Sequence, residues 1–299
     1  MDKVSIIVPA RNERYLSKTV DDLFAKAKGE IEVIVVVDGP TEYQLPKERP
    51  GLKFIIKPTS EGLRSAINNA SDIATGKYLL KCDAHNIVSE GFDEILKKDC
   101  DEDWVVSSSY CKLNVDKWEK ESDYGSYDYY YLGCPWNSVG NIFRSVVWVT
   151  RDKERKDIKI DDTMTMQGSF YFMTKEHFQK RIGYLDAEKW GSGIVDDQEV
   201  SLKTWLSGGR VVVNKNVWNA HYHRPPEERR ILVPEFNNRS NYAVLGAFTR
   251  YFLNNEWEGQ IHEFNWLVEK FWPLPTTRRR NKRERHSWPD NWKEKLNEK

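Results

Sequence analysis

The first hundred residues alternate short apolar runs with amphipathic segments, and this alternation constrains the fold more than any other feature of the chain. The amphipathic segments, residues 16–24 and 63–73, carry apolar side chains at intervals of three or four, which predicts helices. The apolar runs are typical of strands buried on both faces of a sheet: "VSIIVP" (4–9), "IEVIVVV" (31–37), "LKFIIK" (52–57) and "YLLKC" (78–82). This order predicts an α/β fold, with a mostly parallel central sheet and helices on both faces.

Polar residues follow three of these strands, at the sheet edge where ligands bind in open α/β folds. Arg11 and Glu13 follow the first strand, and Asp38 follows the second. Asp83 and His85 follow the fourth at positions i and i+2, so their side chains project to the same side of an extended segment. Such a pair is a salt bridge, two surface residues or part of a metal site. The shared edge favours a site.

The pattern is less regular between residues 104 and 165, which we interpret as extended strands and loops over this crevice. Within this region the charged run "RDKERKDIKIDD" (151–162) is interpreted as solvated. The elements predicted further on are a strand (169–173), a short helix (175–181), a helix within 190–209 that stops at Gly208 or Gly209, and a strand (210–214).

Residues 227–299 differ in character from the rest of the chain. They hold five of the 12 tryptophans and the basic run "RRRNKRERH" (278–286). We therefore predict an α/β domain over residues 1–226 and a helical C-terminal extension over residues 227–299. The basic run is either a solvated tail helix or, with the tryptophans around it, a segment that contacts phosphates and stacks on bases.

The composition limits the partners of the protein. The 46 basic and 46 acidic residues give no overall field that would attract nucleic acid or a membrane. The four cysteines show no metal-type CxxC spacing and are interpreted as reduced thiols. No apolar run approaches the ~20 residues that cross a bilayer, and the N-terminus lacks the pattern of a signal peptide. We expect a cytoplasmic protein without a membrane partner.

The blocks "VSIIVPARNE", "VVVDGPTE", "EGLRSAINNA" and "TGKYLLKCDAH" resemble, in this order, those of the family 2 nucleotide-sugar glycosyltransferases with the GT-A fold. The blocks "CDAH", "WGSGIVDDQEVSLKTWLSGG" and "NAHYHR" are more similar to the polypeptide N-acetylgalactosaminyltransferases. The last blocks also resemble tailed-phage proteins predicted to be glycosyltransferases. The resemblance covers residues 4–224 and implies transfer of a sugar from a nucleotide diphosphate donor.

The resemblance also implies a metal site, because the N-acetylgalactosaminyltransferases hold manganese with Asp-x-His and a later histidine. The matching residues are Asp83, His85 and His221, with His223 as the fallback two residues further on. By itself, His221 would be interpreted as a hydrogen-bonded histidine at a strand end. A divalent cation stabilises a departing diphosphate as a Lewis acid. A donor set of carboxylate, imidazole and phosphate suits Mn²⁺, with Mg²⁺ as the alternative.

A UDP-sugar is the donor that the resemblance implies. The residues that it places around the uridine are Pro9, Ala10, Arg11, Glu13 and Asp38. The family usually has two adjacent acids after the second strand, whereas Val37 precedes Asp38 here. Arg64, which follows Gly62 at the start of a helix, would either meet the diphosphate through charge-assisted hydrogen bonds or lie on the surface of the first helical turn.

Asp196, Asp197 and Glu199 have two interpretations. Asp196 at the N-cap with Glu199 three residues later is a variant of the capping box, and the helix dipole favours acids there. The segment also matches the acceptor-side motif of the family, whose second acid is the general base in inverting family 2 enzymes and is Asn in the retaining N-acetylgalactosaminyltransferases. We therefore predict an inverting displacement, with Asp197 as the base and Asp196 binding sugar hydroxyls. Glu199 would be either structural or a support for these catalytic residues.

Four further residues of this region receive predicted roles. Trp190 and Gly191 are expected to shape the sugar pocket, and Gly168 is expected to let the backbone approach the donor. Trp205 lies where the buried face of its helix should be, so we predict that it belongs to the core.

The acceptor is predicted from the phage-like resemblance and the basic run. Together they favour a hydroxymethylated pyrimidine in DNA, whose base would be flipped out of the stack. A protein side chain or a glycan is the alternative acceptor. A nucleic-acid-binding protein on a degenerate transferase scaffold would lack the metal or base residues. A nucleotidyltransferase would require a glycine-rich phosphate loop with a lysine after the first strand, and "PARNERYL" is not such a loop.

Overall fold

A computed structural model of the chain describes residues 2–122, 125–138, 140–191, 195–225, 227–228, 239–275 and 287–297. The strands are, in chain order, β1 Val4–Ala10, β2 Ile31–Asp38, β3 Leu52–Lys57, β4 Tyr78–Cys82, β5 Asn86–Val88, β6 Trp104–Asn114, β7 Glu119–Lys120, β8 Tyr130–Leu132, β9 Ser145–Val147, β10 Ile160–Asp162, β11 Phe170–Thr174 and β12 Arg210–His221. The strands predicted in the first hundred residues are confirmed.

The main sheet has the strand order β10-β12-β6-β11-β4-β1-β2-β3, with β5 paired to β12. β1 is parallel to β2 and β4, β2 is parallel to β3, and β12 is parallel to β6. β11 is antiparallel to both of its neighbours. The predicted mostly parallel sheet is therefore confirmed. Because β1, β2 and β4 share one direction, their carboxyl ends meet at the same edge of the sheet.

The interpretation of residues 104–165 as strands and loops over the crevice is wrong for β6, which lies within the main sheet between β11 and β12. The middle of β6 consists of buried serines whose hydroxyl groups form hydrogen bonds. Ser108 Oγ donates to Asn219 Oδ1 at 2.9 Å, and Ser109 Oγ donates to Asp128 Oδ1 at 2.6 Å. Because hydrogen bonds replace apolar contacts here, the apolar period that marks a buried strand is missing.

Helices cover both faces of this sheet, through two separate hydrophobic clusters. They are α1 Leu16–Lys26, α2 Leu63–Ile73, α3 Phe92–Lys98, α4 Val149–Glu154, α5 Ala187–Trp190, α6 Asp196–Leu206, α7 Arg239–Leu253, α8 Phe264–Phe271 and α9 Trp292–Asn297. α1 and α3 pack on one face, and α2 and α6 pack on the other. A π-helix, His177–Ile182, stands where a short helix is predicted. Gly208, with φ of +85°, follows α6 as the predicted stop.

The charged run at residues 151–162 is solvated as expected at residues 153–154 and 156–159, but not at its end. It forms part of α4 and all of β10, and Asp161 in β10 is buried. The Asp161 carboxylate pairs with Arg155 and accepts a hydrogen bond from the Tyr129 hydroxyl at 2.8 Å. Oppositely charged residues within one run can thus neutralise each other inside the fold, which composition does not reveal.

The described part of the C-terminal extension packs on the sheet-bearing part of the chain. α7, α8 and residues 287–297 contribute side chains to the same hydrophobic cluster as α2 and α6. Trp288 is buried, and its Nε1 donates to the Leu132 carbonyl at 2.7 Å. The division at residue 226 stays a prediction, and the basic run 278–286 lies outside the described residues. Among the described residues, no helix has the length and apolar character of a membrane span.

Candidate active site

A cavity of about 370 Å³ opens at the edge where β1, β2 and β4 end. Most of the residues predicted for the site line it: Pro9, Ala10, Arg11, Glu13, Asp38, Gly62, Asp83, His85, Gly168, Asp196, His221 and His223. Its size falls in the range of small-molecule sites. The other predicted site residues do not line the cavity.

Asp83, His85 and His221 form a cluster at one end of the cavity. One ligand atom from each residue lies within 4.8 Å of the other two, which is close to the spacing of ligands around one ion. Antiparallel pairing of β5 with β12 places His221 opposite Asn86, immediately after His85. His223 packs edge-on against His221 with ring centroids 5.4 Å apart and is not part of this cluster.

His221 and Asp83 have the protonation states that a cation site requires. Burial lowers the pKa of His221 to about 3, so its imidazole is neutral and offers a lone pair. Its Nε2 lies 3.1 Å from Asp83 Oδ2, and its buried Nδ1 has no hydrogen-bond partner among the described residues. Burial opposes ionisation of Asp83, but Lys81 and His221 hold the pKa of its carboxyl well below the usual value. The donor set fits a divalent cation of the Mn²⁺ type.

Glu13 orients His85, a role that the sequence did not suggest. His85 Nδ1 lies 3.0 Å from Glu13 Oε2, and the same carboxylate pairs with Arg224. Burial opposes ionisation of Glu13, yet its pKa is lowered because His85 and Arg224 favour the carboxylate. A carboxylate behind a ligand histidine fixes the orientation and tautomer of the ring. Glu13 thus lines the predicted nucleotide pocket, but its carboxylate is already paired with His85 and Arg224.

Lys81 is a second residue that the sequence interpretation missed. Its side chain is only 3% exposed, and its ammonium donates hydrogen bonds to Asp83 Oδ1 and to the Gly168 carbonyl. The same ammonium lies 3.9 Å from Asp196 Oδ2. Burial opposes the charge, but Asp83 and Asp196 raise the pKa of Lys81 above its usual value. The sequence does indicate this position, because Lys81 is a lysine in a buried strand and alternates with Asp83 and His85, so that the three side chains project to the same face.

Asp38 holds the loop that leads into α2. Its carboxylate accepts hydrogen bonds from Ser60 Oγ at 2.6 Å, from the Glu61 amide at 2.7 Å and from the Gly62 amide at 3.0 Å. Gly62 has φ of +91°, a conformation that favours glycine. Asp38 therefore shapes the cavity wall through this loop, and its contact with a base stays a prediction.

Arg64 does not fit either of its predicted positions. Its side chain is fully buried, its Nε donates to Glu199 Oε2 at 2.8 Å, and its NH1 donates to the Gly191 carbonyl at 3.3 Å. It therefore lies neither on the cavity wall nor on the surface. Glu199 also pairs with Lys203 at 2.9 Å. The capping-box interpretation is wrong as well, because the N-cap of α6 is Val195 and Glu199 is committed to these ion pairs.

The acid pair Asp196 and Asp197 begins α6 beside the cavity. Asp196 is buried and faces the cavity, with its Oδ2 3.2 Å from the Tyr171 hydroxyl. Asp197 is half-buried and accepts a hydrogen bond from Ser145 Oγ at 2.8 Å. It lies behind Gly168, where an added Cβ would come within 3.3 Å of the Asp197 Cβ. Burial, and then the charge of Asp196, raise the pKa of Asp197 to about 7.

Trp190 does not line the cavity as predicted. Its ring is 6% exposed and packs edge-on against Phe248 and Tyr251 of α7, at centroid distances of 5.4 and 5.3 Å. The C-terminal extension, which motif matching did not cover, provides these partners. Gly191 contributes its carbonyl to Arg64, outside the cavity wall. Trp205 belongs to the core as predicted.

The buried ion pair between Arg64 and Glu199 yields a stability prediction. Arg64→Met should lower the free energy of unfolding by about 3 kcal/mol or more, because it leaves Glu199 buried with one cation fewer. Urea unfolding followed by circular dichroism measures the change. Lys180→Met, which removes an exposed partner of Glu176, serves as the control and should leave the unfolding midpoint unchanged. Equal midpoints for the two variants would contradict a structural role of Arg64.

The sheet order and the cation cluster at its edge define the class of protein, a GT-A fold of the kind found in nucleotide-sugar transferases. A crystal structure of GalNAc-T7 with UDP, GalNAc and Mn²⁺ shares this fold, with a TM-score of 0.63 and 16% sequence identity over 90% of this chain and 57% of that one. Residues 5–181 match the Glycosyl transferase family 2, and the chain belongs to this family.

Two curated relatives illustrate the range of similarity. The probable N-acetylgalactosaminyltransferase 8 of Caenorhabditis elegans is 33% identical over 167 residues, which are 54% of this chain and 38% of that protein. Glycosyltransferase GlyG of Streptococcus pneumoniae serotype 4 (strain ATCC BAA-334 / TIGR4) is 22% identical over 230 residues, 72% of this chain and 69% of that protein. The chain thus spans well under half of the first relative.

Proposed function

We propose that the protein transfers a sugar from a UDP-sugar to an acceptor hydroxyl with the help of a divalent cation, Mn²⁺ or alternatively Mg²⁺. The observation that carries the proposal is the cluster of Asp83, His85 and His221 at the cavity end. The similarity to GalNAc-T7, whose structure contains UDP, GalNAc and Mn²⁺, supports both the cation and the donor. The presence of this cluster also argues against a degenerate, non-catalytic scaffold.

In the proposed reaction, Asp83, His85 and His221 would hold the cation, and the cation when bound would stabilise charge on the leaving diphosphate. Glu13 keeps the His85 ring in position. The acceptor oxygen forms a bond to the anomeric carbon while the bond from that carbon to the β-phosphate oxygen breaks, so that UDP leaves. The hydroxyl proton passes to a carboxylate of the protein.

Asp197 is the proposed base, and Asp196 is the proposed partner of the sugar hydroxyls. The raised pKa of Asp197 suits a general base that works near neutral pH. Ser145 fixes one of its oxygens, which leaves the other for the acceptor. A displacement in which this carboxylate activates the acceptor directly inverts the anomeric configuration, and nuclear magnetic resonance of the product would establish the outcome.

The cation cluster is tested by replacing one ligand. His85→Ala should weaken Mn²⁺ binding, followed by electron paramagnetic resonance, and abolish Mn²⁺-dependent UDP release. Glu13→Gln should weaken Mn²⁺ binding by about tenfold, because the ring of His85 loses its orientation. The control is His262→Ala, since His262 stacks on Trp266 away from the cavity. If His85→Ala binds Mn²⁺ as tightly as the unaltered protein, the assignment of the cluster fails.

The proposed base determines the expected pH dependence. Asp197 is protonated below its raised pKa, so turnover should increase as the pH rises through about 7. Asp197→Asn should lower turnover by at least about a hundredfold. Ser145→Ala removes a hydrogen bond that lowers the pKa of Asp197, so the rising limb should move to higher pH. Turnover that stays constant with pH from acid to neutral conditions would exclude Asp197 as the base.

The proposed acceptor is a hydroxymethylated pyrimidine in DNA, supported by the basic run 278–286 and the resemblance to phage proteins. A DNA acceptor agrees with the expected cytoplasmic location. A protein hydroxyl is the second candidate, favoured by the N-acetylgalactosaminyltransferase relative.

A panel of UDP-sugars with Mn²⁺ separates the two acceptors. Hydroxymethylated DNA should stimulate UDP release, whereas plain DNA of the same sequence should not. Stimulation by Ser- and Thr-containing peptides alone would refute the DNA acceptor in favour of protein.

A further inference from the structure

Lys81 lies in the cavity but has no role in the proposed reaction. It is the only lysine on the cavity wall among the described residues, and it lies two residues before the ligand Asp83 on β4. Its ammonium reaches across the cavity floor, from Asp83 to the Gly168 carbonyl and towards Asp196. Burial of an ammonium raises the free energy of the folded state unless charged partners compensate it. The two carboxylates beside Lys81 provide this compensation.

The ammonium of Lys81 and a divalent cation would compete for the same carboxylate. Lys81 contacts Oδ1 of Asp83, and His221 contacts Oδ2, so both oxygens are engaged in the free protein. A dication that joins Asp83 must displace or approach a buried positive charge, and like charges at short range repel strongly at low dielectric constant. The bare site is therefore poorly suited to hold a cation alone.

We propose that Lys81 is an internal counter-ion of the cation site, and that it makes binding of the divalent cation depend on binding of the nucleotide. The inference rests on the proposed function. A nucleotide diphosphate brings negative charge into the cavity, which can pair with the divalent cation and with the Lys81 ammonium. Lys81 can therefore release Asp83 without being left unpaired. The cation and the nucleotide then bind with positive coupling, and by reciprocity each raises the affinity of the other.

The coupling has a consequence for the reaction cycle. When UDP leaves after transfer, Lys81 would return to Asp83 and lower the affinity of Asp83, His85 and His221 for the cation, so that the cation would be released with UDP. Lys81 acts here as a positioning residue, through Asp83, and forms no bond to the reacting atoms.

The test measures Mn²⁺ affinity by electron paramagnetic resonance, with and without saturating UDP. In the unaltered protein, UDP should tighten Mn²⁺ binding by about tenfold or more. Lys81→Met removes the charge and should tighten Mn²⁺ binding to the nucleotide-free protein by about tenfold, while changing the affinity with UDP bound by less than about threefold. Lys81→Gln, which keeps an N–H donor for the Gly168 carbonyl, should behave as Lys81→Met does. Lys81→Arg keeps the charge and should retain the coupling.

Lys203→Met provides a matched control. Lys203 is also buried, pairs with one carboxylate at 2.9 Å and donates to the Tyr184 carbonyl at 2.8 Å, but it lies away from the cation cluster. Its replacement should leave both Mn²⁺ affinities unchanged.

Two results overturn the inference while leaving the proposed function intact. The first is Mn²⁺ binding to the unaltered protein that is indifferent to UDP. The second is unchanged or weaker Mn²⁺ binding in the nucleotide-free, folded Lys81→Met and Lys81→Gln variants. If Mn²⁺ binding is absent in every condition, or insensitive to His85→Ala, the proposed function itself fails, which distinguishes the two failures.

Discussion

The contact between Asp83 and His221 joins two parts of the chain that lie 138 residues apart, and the geometry of the site depends on it. Asp83 follows β4 in the parallel half of the sheet, whereas His221 ends β12 in the other half. Pairing of β12 with both β5 and β6, with a register shift between Asn214 and Trp218, brings the two strand ends together. The cavity is thus a product of sheet topology, and the chemistry of its end follows from two imidazoles beside one carboxylate.

Buried charges around this contact are compensated within the protein. Lys81 lies among Asp83, Asp196 and a backbone carbonyl, and Glu13 lies between His85 and Arg224. Such an arrangement keeps each buried charge paired before a ligand enters the cavity. It also means that a ligand entering the cavity meets groups already engaged and must exchange partners with them.

The part of the site around Asp196 and Asp197 is built differently from the cluster of Asp83, His85 and His221. Glu199 of α6 binds Arg64 of α2, and Trp190 of α5 packs against Phe248 and Tyr251 of α7. The first turn of α6, which carries Asp196 and Asp197, is therefore tied to α2 by a buried ion pair, and the C-terminal extension packs on α5.

The sequence alone determined the central architecture and the pairing of Asp83 with His85, and its resemblance to glycosyltransferases pointed to His221. Buried strands and amphipathic helices leave periods that depend only on local side-chain direction, and the spacing of Asp83 and His85 is equally local. The tertiary structure decided the roles of Glu13, Lys81, Arg64 and Trp190, because the charge or ring that each of them meets comes from a distant segment. Ion pairing and packing between such segments depend on contacts in space, so local patterns along the chain do not reveal which partner a buried charge will find.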